Sequence, residues 1–299
     1  MLKSHIGEIA ALGTAFCWTF TGISFEYAGK KVGSLAVNFI RLILGFIFIS
    51  IFTYLTRGLL LPTDSTSFNW IWLGLSGIIG FFIGDLFLFQ AYLEVGTRVA
   101  MLIMAASPPI TALLGFIFMG EVITSKGLLG MAITTLGIAV VILSKEPGEK
   151  KIKTTHSIKG LTYAFLGAVG QSVGLVLSKV GMGTYNAFAA TQIRIITGFI
   201  GFFILFMYKR NWKDLTVALK DKKAMTGITI GSIFGPFLGV SLALISLQNT
   251  TAGISATITS IMPVLIIPFS IILFKEKVKP KEILGTLISV VGVAILFIA

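Results

Sequence analysis

The chain has 299 residues, 55% of them hydrophobic and only 12% charged, with 33 glycines and a mean hydropathy of +0.95. No water-soluble core needs that much apolar surface, so the composition describes an integral membrane protein. The formal net charge is +12, but the basic residues stand between apolar stretches, as orientation in a membrane requires, and this sets nucleic acid aside as a partner. A crossing of the hydrocarbon layer takes roughly 20 apolar residues. In chain order ten stretches meet that requirement: 6–28, 35–56, 70–91, 98–119, 126–144, 158–182, 187–208, 224–247, 252–274 and 282–298. The first is longer than a signal-peptide core, carries Glu26, and has Cys17-Trp18 where a cleavage site would need small residues, so it reads as a retained span. Cys17, the single cysteine, excludes an internal disulfide and reads as a small buried hydrophobe. Apart from a polar linker near 145–157 and a loop near 209–223 the connections are short. They leave no room within these residues for a soluble catalytic or nucleotide-binding domain, which excludes ATP-driven transport by this chain alone.

Residues 70–144 laid over 224–298 at a shift of 155 bring together Pro108 with Pro263, Glu121 with Glu276, Gly130 with Gly285 and Gly137 with Gly292. Gly80 and Gly84 meet Gly235 and Gly239 at the same shift, and Arg41 meets Arg194 at a shift of 153. The chain is thus a tandem duplication, with repeats over 1–144 and 158–299 and a linker over 145–157. Each copy holds five apolar stretches, an odd number, so the second enters the membrane from the opposite side. The expected fold is all-α, ten transmembrane helices arranged as two inverted five-helix repeats. Inverted repeats are the signature of alternating-access transporters. Of the 24 Lys and Arg residues, 18 fall in the odd-numbered loops, and by the positive-inside rule that side is cytoplasmic and both termini are outside.

The duplicated segment reads GEVITSKGLLGMAITTLGIAVVIL over 120–143 and KEKVKPKEILGTLISVVGVAILFI over 275–298. With a proline in spans four and nine (Pro108, Pro263), it resembles the end of the EamA-like domain of the drug/metabolite transporter superfamily, in which Gly-Glu precedes a polar turn and a glycine-punctuated fifth span. The likeness extends over the whole chain, and the second copy departs from it with Lys275 in place of Gly120. The resemblance implies a basket of ten helices around a central cavity lined by spans 1, 3 and 4 and their mates 6, 8 and 9. It implies carriage of small metabolites or drugs, often export of amino acids or other polar compounds, with relatives that exchange nucleotide sugars or sugar phosphates. It also implies cytoplasmic termini, against the charge count.

Charges deep in a membrane are costly and need partners or a wet cavity. Asp85 is the strongest candidate for a substrate or proton site: it follows Gly74, Gly77, Gly80 and Gly84, a ridge that lets a neighbouring helix approach, and shares a face with Phe81, Leu88, Phe89 and Tyr92. There it can exchange protons, bind a cationic group, or form a structural bond to another helix. Glu26 and Arg41 lie at comparable depth in one hairpin and read as a structural ion pair. Lys179 and Arg194 have no acid in the interiors of spans 6–10; they either snorkel to the headgroups or hold an anion, which is Asp85, Glu94 or the substrate's own carboxylate or phosphate. Trp18 and Gln171 match in spans 1 and 6, each followed by glycine within a turn, and either line the cavity or serve packing. Hydroxyls crowd 250–260, and Pro108, Pro109, Pro236, Pro263 and Pro268 are candidate kinks. Glu121 and Glu276, which carry the family motif, stand at span ends and read as turn structure.

His5 and His156 are in terminal or linker positions, and no metal-ligand spacing, nucleophile–base set or phosphate-cradling loop is present. The sequence therefore points away from an enzyme and calls for no cofactor or metal. The expected function is a secondary active transporter of a small polar or amphipathic metabolite, a proton-coupled exporter in its first form, embedded in the lipid of the cell membrane. Its alternative is an uptake or exchange carrier for an anionic or zwitterionic metabolite. An integral-membrane enzyme lacks a reactive constellation, and a passive channel would be told by non-saturable flux.

Overall fold

A computed structural model describes residues 5–104, 106–143, 158–210, 212–262, 264–265 and 280–297. Pro263, Pro268, Glu276 and the linker 145–157 lie outside these residues. Within them the chain is helical and has no strand. Helices α1 (Ile6–Val32) and α2 (Ser34–Arg57) are joined by Gly33 alone, at φ 82°, a left-handed backbone that glycine adopts without penalty. A capping box of Thr66 and Asn69 opens α3 (Ser67–Ser76). The winding then widens into a π-helical segment, π1 (Gly77–Gly84), and tightens again into α4 (Asp85–Met104). The first half ends with α5 (Ser107–Met119) and α6 (Ser125–Leu143).

The second half repeats this plan. It runs α7 (Ile158–Met182), α8 (Ala187–Lys209), a short α9 (Trp212–Lys220), α10 (Lys222–Ser232), a second π-helical segment π2 (Ile233–Gly239), α11 (Val240–Asn249), α12 (Ala252–Thr259) and α13 (Pro280–Leu296). The two π segments occupy the same place in their halves, immediately before Asp85 and before Val240.

Six helical stretches are long and apolar enough to cross a membrane, at 6–32, 34–57, 67–95, 158–182, 187–209 and 222–249; Ser107–Met119, Ser125–Val140 and Ile283–Leu296 are apolar but shorter. The expected turn between 91 and 98 is not where the helix breaks. Helical winding continues to Met104, and α5 opens at Ser107-Pro108-Pro109. Prolines lack the amide that would continue the preceding helix, yet fit the first turn of a new one. Large apolar side chains such as Leu55, Phe116, Leu136 and Ile204 are exposed on the outside, a surface suited to lipid rather than water.

The halves interlock rather than sit side by side. Helix α1 packs on α10, π2 and α11, while its counterpart α7 packs on α3, π1 and α4. Glycines make these crossings close: a methyl at Gly84 would lie 3.3 Å from the Gln171 nitrogen, and one at Gly239 would lie 2.8 Å from the Trp18 indole. Likewise a methyl at Gly198 would meet Phe81 at 2.7 Å, and one at Gly45 would meet Pro236 at 2.8 Å. Helices α6 and α13 cross with Gly130 against Gly292 and Gly137 against Gly285, a register that runs antiparallel. Between these glycines the Ser289 hydroxyl donates to the Thr134 carbonyl at 3.5 Å.

Candidate functional site

The crossings enclose a cavity of about 140 Å³ between the halves. A cavity of roughly 150 Å³ holds a benzene molecule, so this one suits a small metabolite. Helix α1 supplies Trp18, Thr21, Gly22 and Phe25 to its wall, and α2 supplies Arg41. Phe81 of π1 and Asp85, Leu88, Phe89 and Tyr92 of α4 form another side, with Ser107 of α5 and Gln171 and Leu175 of α7. From the later helices come Gly235, Pro236, Val240, Ala256 and Thr259. The wall is largely aromatic and aliphatic, and two of its polar side chains, Arg41 and Gln171, converge on one carboxylate.

Asp85 is that carboxylate, 5% exposed at the first turn of α4. Its Oδ2 accepts from Nη2 of Arg41, and its Oδ1 accepts from Nε2 of Gln171 at 2.5 Å. Arg41 is held in turn by Asn38, whose Oδ1 accepts from Nε at 2.9 Å. Its guanidinium lies 4.8 Å from the centroid of the Phe89 ring and 5.7 Å from that of Phe25, both within cation–π range. Gln171 reaches Asp85 because α7 lies almost backbone to backbone against the glycines of π1: a methyl at Gly174 would sit 2.9 Å from the Gly80 Cα.

Three of the residues singled out from the sequence, Asp85, Trp18 and Gln171, therefore meet in one cavity wall. Arg194 does not line it. It is 2% exposed and lies behind the wall, its guanidinium carbon 4.6 Å from the Phe81 ring centroid. Lys179 is elsewhere, near the ends of α7 and α11, where it pairs with Glu121 and donates to the Thr250 carbonyl. The sequence left Lys179 and Arg194 together without an acid, and this is corrected for Lys179: it sits about two turns beyond the Gln171–Asp85 level of α7 and has an acid from the other half. The expected ion pair of Glu26 with Arg41 is corrected too. Arg41 bonds Asp85, and Glu26 bonds Lys30 one turn along α1 at 2.7 Å. The exposed i,i+4 lysine is the nearer partner for Glu26, whereas Asp85 lies at the depth of the guanidinium.

Glu121 lies just past the end of α5. Besides Lys179 it takes the backbone N–H of Ala252 at 2.8 Å, so it ties the end of α5 to α7 and to the start of α12. Sequence reasoning put Phe81 on the face of Asp85 but not between the cavity and Arg194, where it stands, and it missed Asn38, which orients Arg41. Asn38 carried a readable signal, since it lies three residues before Arg41 on one helical face. Among the described residues no cluster of His, Cys, Asp and Glu is arranged to hold a metal.

The cavity is small, mostly apolar and placed between two interlocked halves of a helical membrane protein. Residues 5–143 and 158–298 each match the EamA-like transporter family, and the chain belongs to that family, part of the drug/metabolite transporter superfamily, with two EamA repeats. It is similar to an uncharacterized transporter of Archaeoglobus fulgidus, 20% identical over 293 residues that make up 97% of each chain. It is also similar to the uncharacterized transporter YetK of Bacillus subtilis, 30% identical over 131 residues, 44% of this chain and 38% of that one. A crystal structure of a protein 15% identical in sequence superposes with a TM-score of 0.73 over 98% of this chain and 96% of that chain, a likeness of fold. The protein is a transporter and not an enzyme.

Proposed function

We propose that the chain carries a small polar or amphipathic metabolite across the cell membrane by secondary active transport, through alternating access of two inverted five-span repeats, 1–144 and 158–299, joined by the linker 145–157. One observation carries this reading: contacts around the cavity recur when the halves are exchanged. Gly84 on α7 answers Gly239 on α1, and Gly198 on Phe81 answers Gly45 on Pro236. The antiparallel register of α6 and α13, with Thr134 and its counterpart Ser289 at the crossing, is what inversion requires. Two halves built alike and oppositely directed can exchange conformations, which opens the cavity to each side in turn.

Two forms of transport use this site. In proton-coupled export, Asp85 releases Arg41 and takes a proton as the substrate leaves. In uptake or exchange, an anionic or zwitterionic substrate binds the buried arginines. The charge balance favours the second, because Asp85 is already shared by Arg41 and Gln171 while a second arginine lies within reach of its charge. Flux into proteoliposomes separates them. Exchange requires a carboxylate-bearing solute on the far side and persists without a pH gradient; collapse of flux with the gradient refutes it in favour of proton coupling. The excess of basic residues in the odd-numbered loops supports a topology with both termini outside, and a C-terminal cysteine tag labelled only from the cytoplasm overturns that orientation.

A further inference from the structure

The exchange of halves that maps Arg41 onto Arg194 maps Asp85 onto Val240. Arg41 has its acid; Arg194 has lost the equivalent one. Its Nε and Nη1 are buried and have no hydrogen-bond partner among the described residues, and the side chain is 2% exposed. Arginine does not shed its proton inside a protein, and a buried unpaired charge is strongly destabilising. Neither remedy foreseen from the sequence applies. Arg194 is too deep to snorkel, and Asp85, whose charge it feels, gives its hydrogen bonds to Arg41 and Gln171 and leaves Nε and Nη1 of Arg194 without a partner. The buried set of two arginines and one aspartate thus has one positive charge in excess. Phe81, whose ring Arg194 overlies, lines the cavity, and so does Val240.

We propose that Arg194 is the anion-recognition residue of this transporter, and that its ligand is a small organic monoanion: a single carboxylate on an apolar body. The Phe81 ring separates Arg194 from the cavity, so it turns aside as the carboxylate enters on the Val240 side; the carboxylate supplies the charge that Val240 does not, and the body rests on Trp18, Phe25 and Phe89. An ammonium group finds no free carboxylate here, which disfavours a zwitterion, and a second negative charge would exceed the excess. An inorganic anion would leave the aromatic wall without a partner. The inference rests on the transport reading for the ligand's passage, but not for its binding.

The test is binding to the purified full-length protein in detergent, read by tryptophan fluorescence and thermal stabilisation. The probes are benzoate, its neutral isostere benzamide, benzylamine, and potassium chloride. Benzoate is expected to bind wild type, with benzamide and benzylamine at least tenfold weaker. A hydrogen bond to a charged group contributes roughly 1.5–3 kcal/mol, so Arg194→Gln should weaken benzoate about 10- to 100-fold. Arg194→Lys should retain part of the affinity. Val240→Asp should restore the internal acid, raise the melting temperature and weaken benzoate. Equal affinity for benzoate and benzamide on wild type overturns the proposal, as does chloride displacing benzoate at equal concentration or no benzoate binding at all. If Arg194→Gln does not fold, the wild-type isostere comparison and Val240→Asp still decide. Benzoate bound through Arg194 but never carried into vesicles refutes the transport reading alone; carboxylate flux unchanged in Arg194→Gln refutes this one alone.

Discussion

Replacing Asp85 with asparagine removes one charge and almost no volume. The asparagine carbonyl can still accept one hydrogen bond from Arg41 or Gln171, but two buried guanidiniums, Arg41 and Arg194, then have no counter-charge. Removing one partner of a buried ion pair costs about 3–5 kcal/mol. A retained neutral hydrogen bond returns about 1 kcal/mol, so Asp85→Asn should destabilise the fold by about 2–4 kcal/mol. Arg41→Gln removes the other partner and should cost less, because Arg194 still balances Asp85. The double variant should then cost less than the sum of the two by about 2 kcal/mol, within the range of directly coupled residues. Unfolding of the four purified proteins in mixed micelles, followed by circular dichroism, measures this cycle. Additivity within about 0.5 kcal/mol, the behaviour of independent sites, would refute the pairing. Flux in proteoliposomes is the second measurement: Asp85→Asn at wild-type rate would remove Asp85 from the mechanism.

Gly137→Val should separate α6 from α13, because its Cβ would fall 2.5 Å from the Ser289 nitrogen and 2.7 Å from the Gly285 carbonyl oxygen; a melting temperature equal to wild type counts against the close crossing. Lys179→Met leaves the half-buried Glu121 without its cation and should cost about 2 kcal/mol, whereas the reversal Glu121→Lys with Lys179→Glu should recover part of that loss, as a chemical melt of each variant would reveal. Asp221 caps α10: it accepts from the Ala224 amide at 2.9 Å, and this bond, with Lys31 at 3.8 Å, holds its carboxyl below the ordinary aspartate range. Its stabilisation of α10 is present above the unfolded pKa and lost as the pH falls through the depressed one. Hydrogen exchange of the first-turn amides of α10 should accelerate across that acid window relative to neighbouring helices, and Asp221→Asn should abolish the pH dependence.

The duplication was legible because it is written in punctuation. Glycine and proline positions that keep a constant shift survive any change of side-chain chemistry, and the same glycines prove to be the crossing points of the helices. Asp85, Trp18 and Gln171 were legible as cavity residues because midplane polarity is rare enough in a membrane to stand out. The partners were not. Arg41 chooses between Glu26 and Asp85 by helix rotation and depth, which hydropathy does not resolve, and Lys179 finds Glu121 across a junction of α5, α7 and α12 that no local pattern announces. Phe81 was legible as a neighbour of Asp85 on one helical face, but its place over Arg194 was not, because the crossing of π1 with α8 has no local pattern. The break at Ser107 escaped the hydropathy reading because the apolar run is continuous through it. The adjacent prolines marked the place without saying that a new helix begins there.

The symmetry of the halves bears directly on where chemistry can reside. Each half places a π-helical segment, Gly77–Gly84 or Ile233–Gly239, against the first helix of the other. A π segment is a wide and strained winding that persists where function uses it, and here it has a second role. It sets the residue that follows it, Asp85 or Val240, into the cavity wall at equivalent points. The backbone device is therefore kept in both copies, while the residue it presents has diverged. If that residue served only to hold helices together, two acids opposite two arginines would close both junctions, and the buried set would be neutral. One acid against two arginines leaves the closure incomplete on the Arg194 side. That imbalance is costly in an empty cavity and is relieved by an anion within it, so the stability of the folded protein and the occupancy of its cavity become linked. Such linkage makes thermal stabilisation a direct reporter of the cavity's charge preference, before any flux is measured.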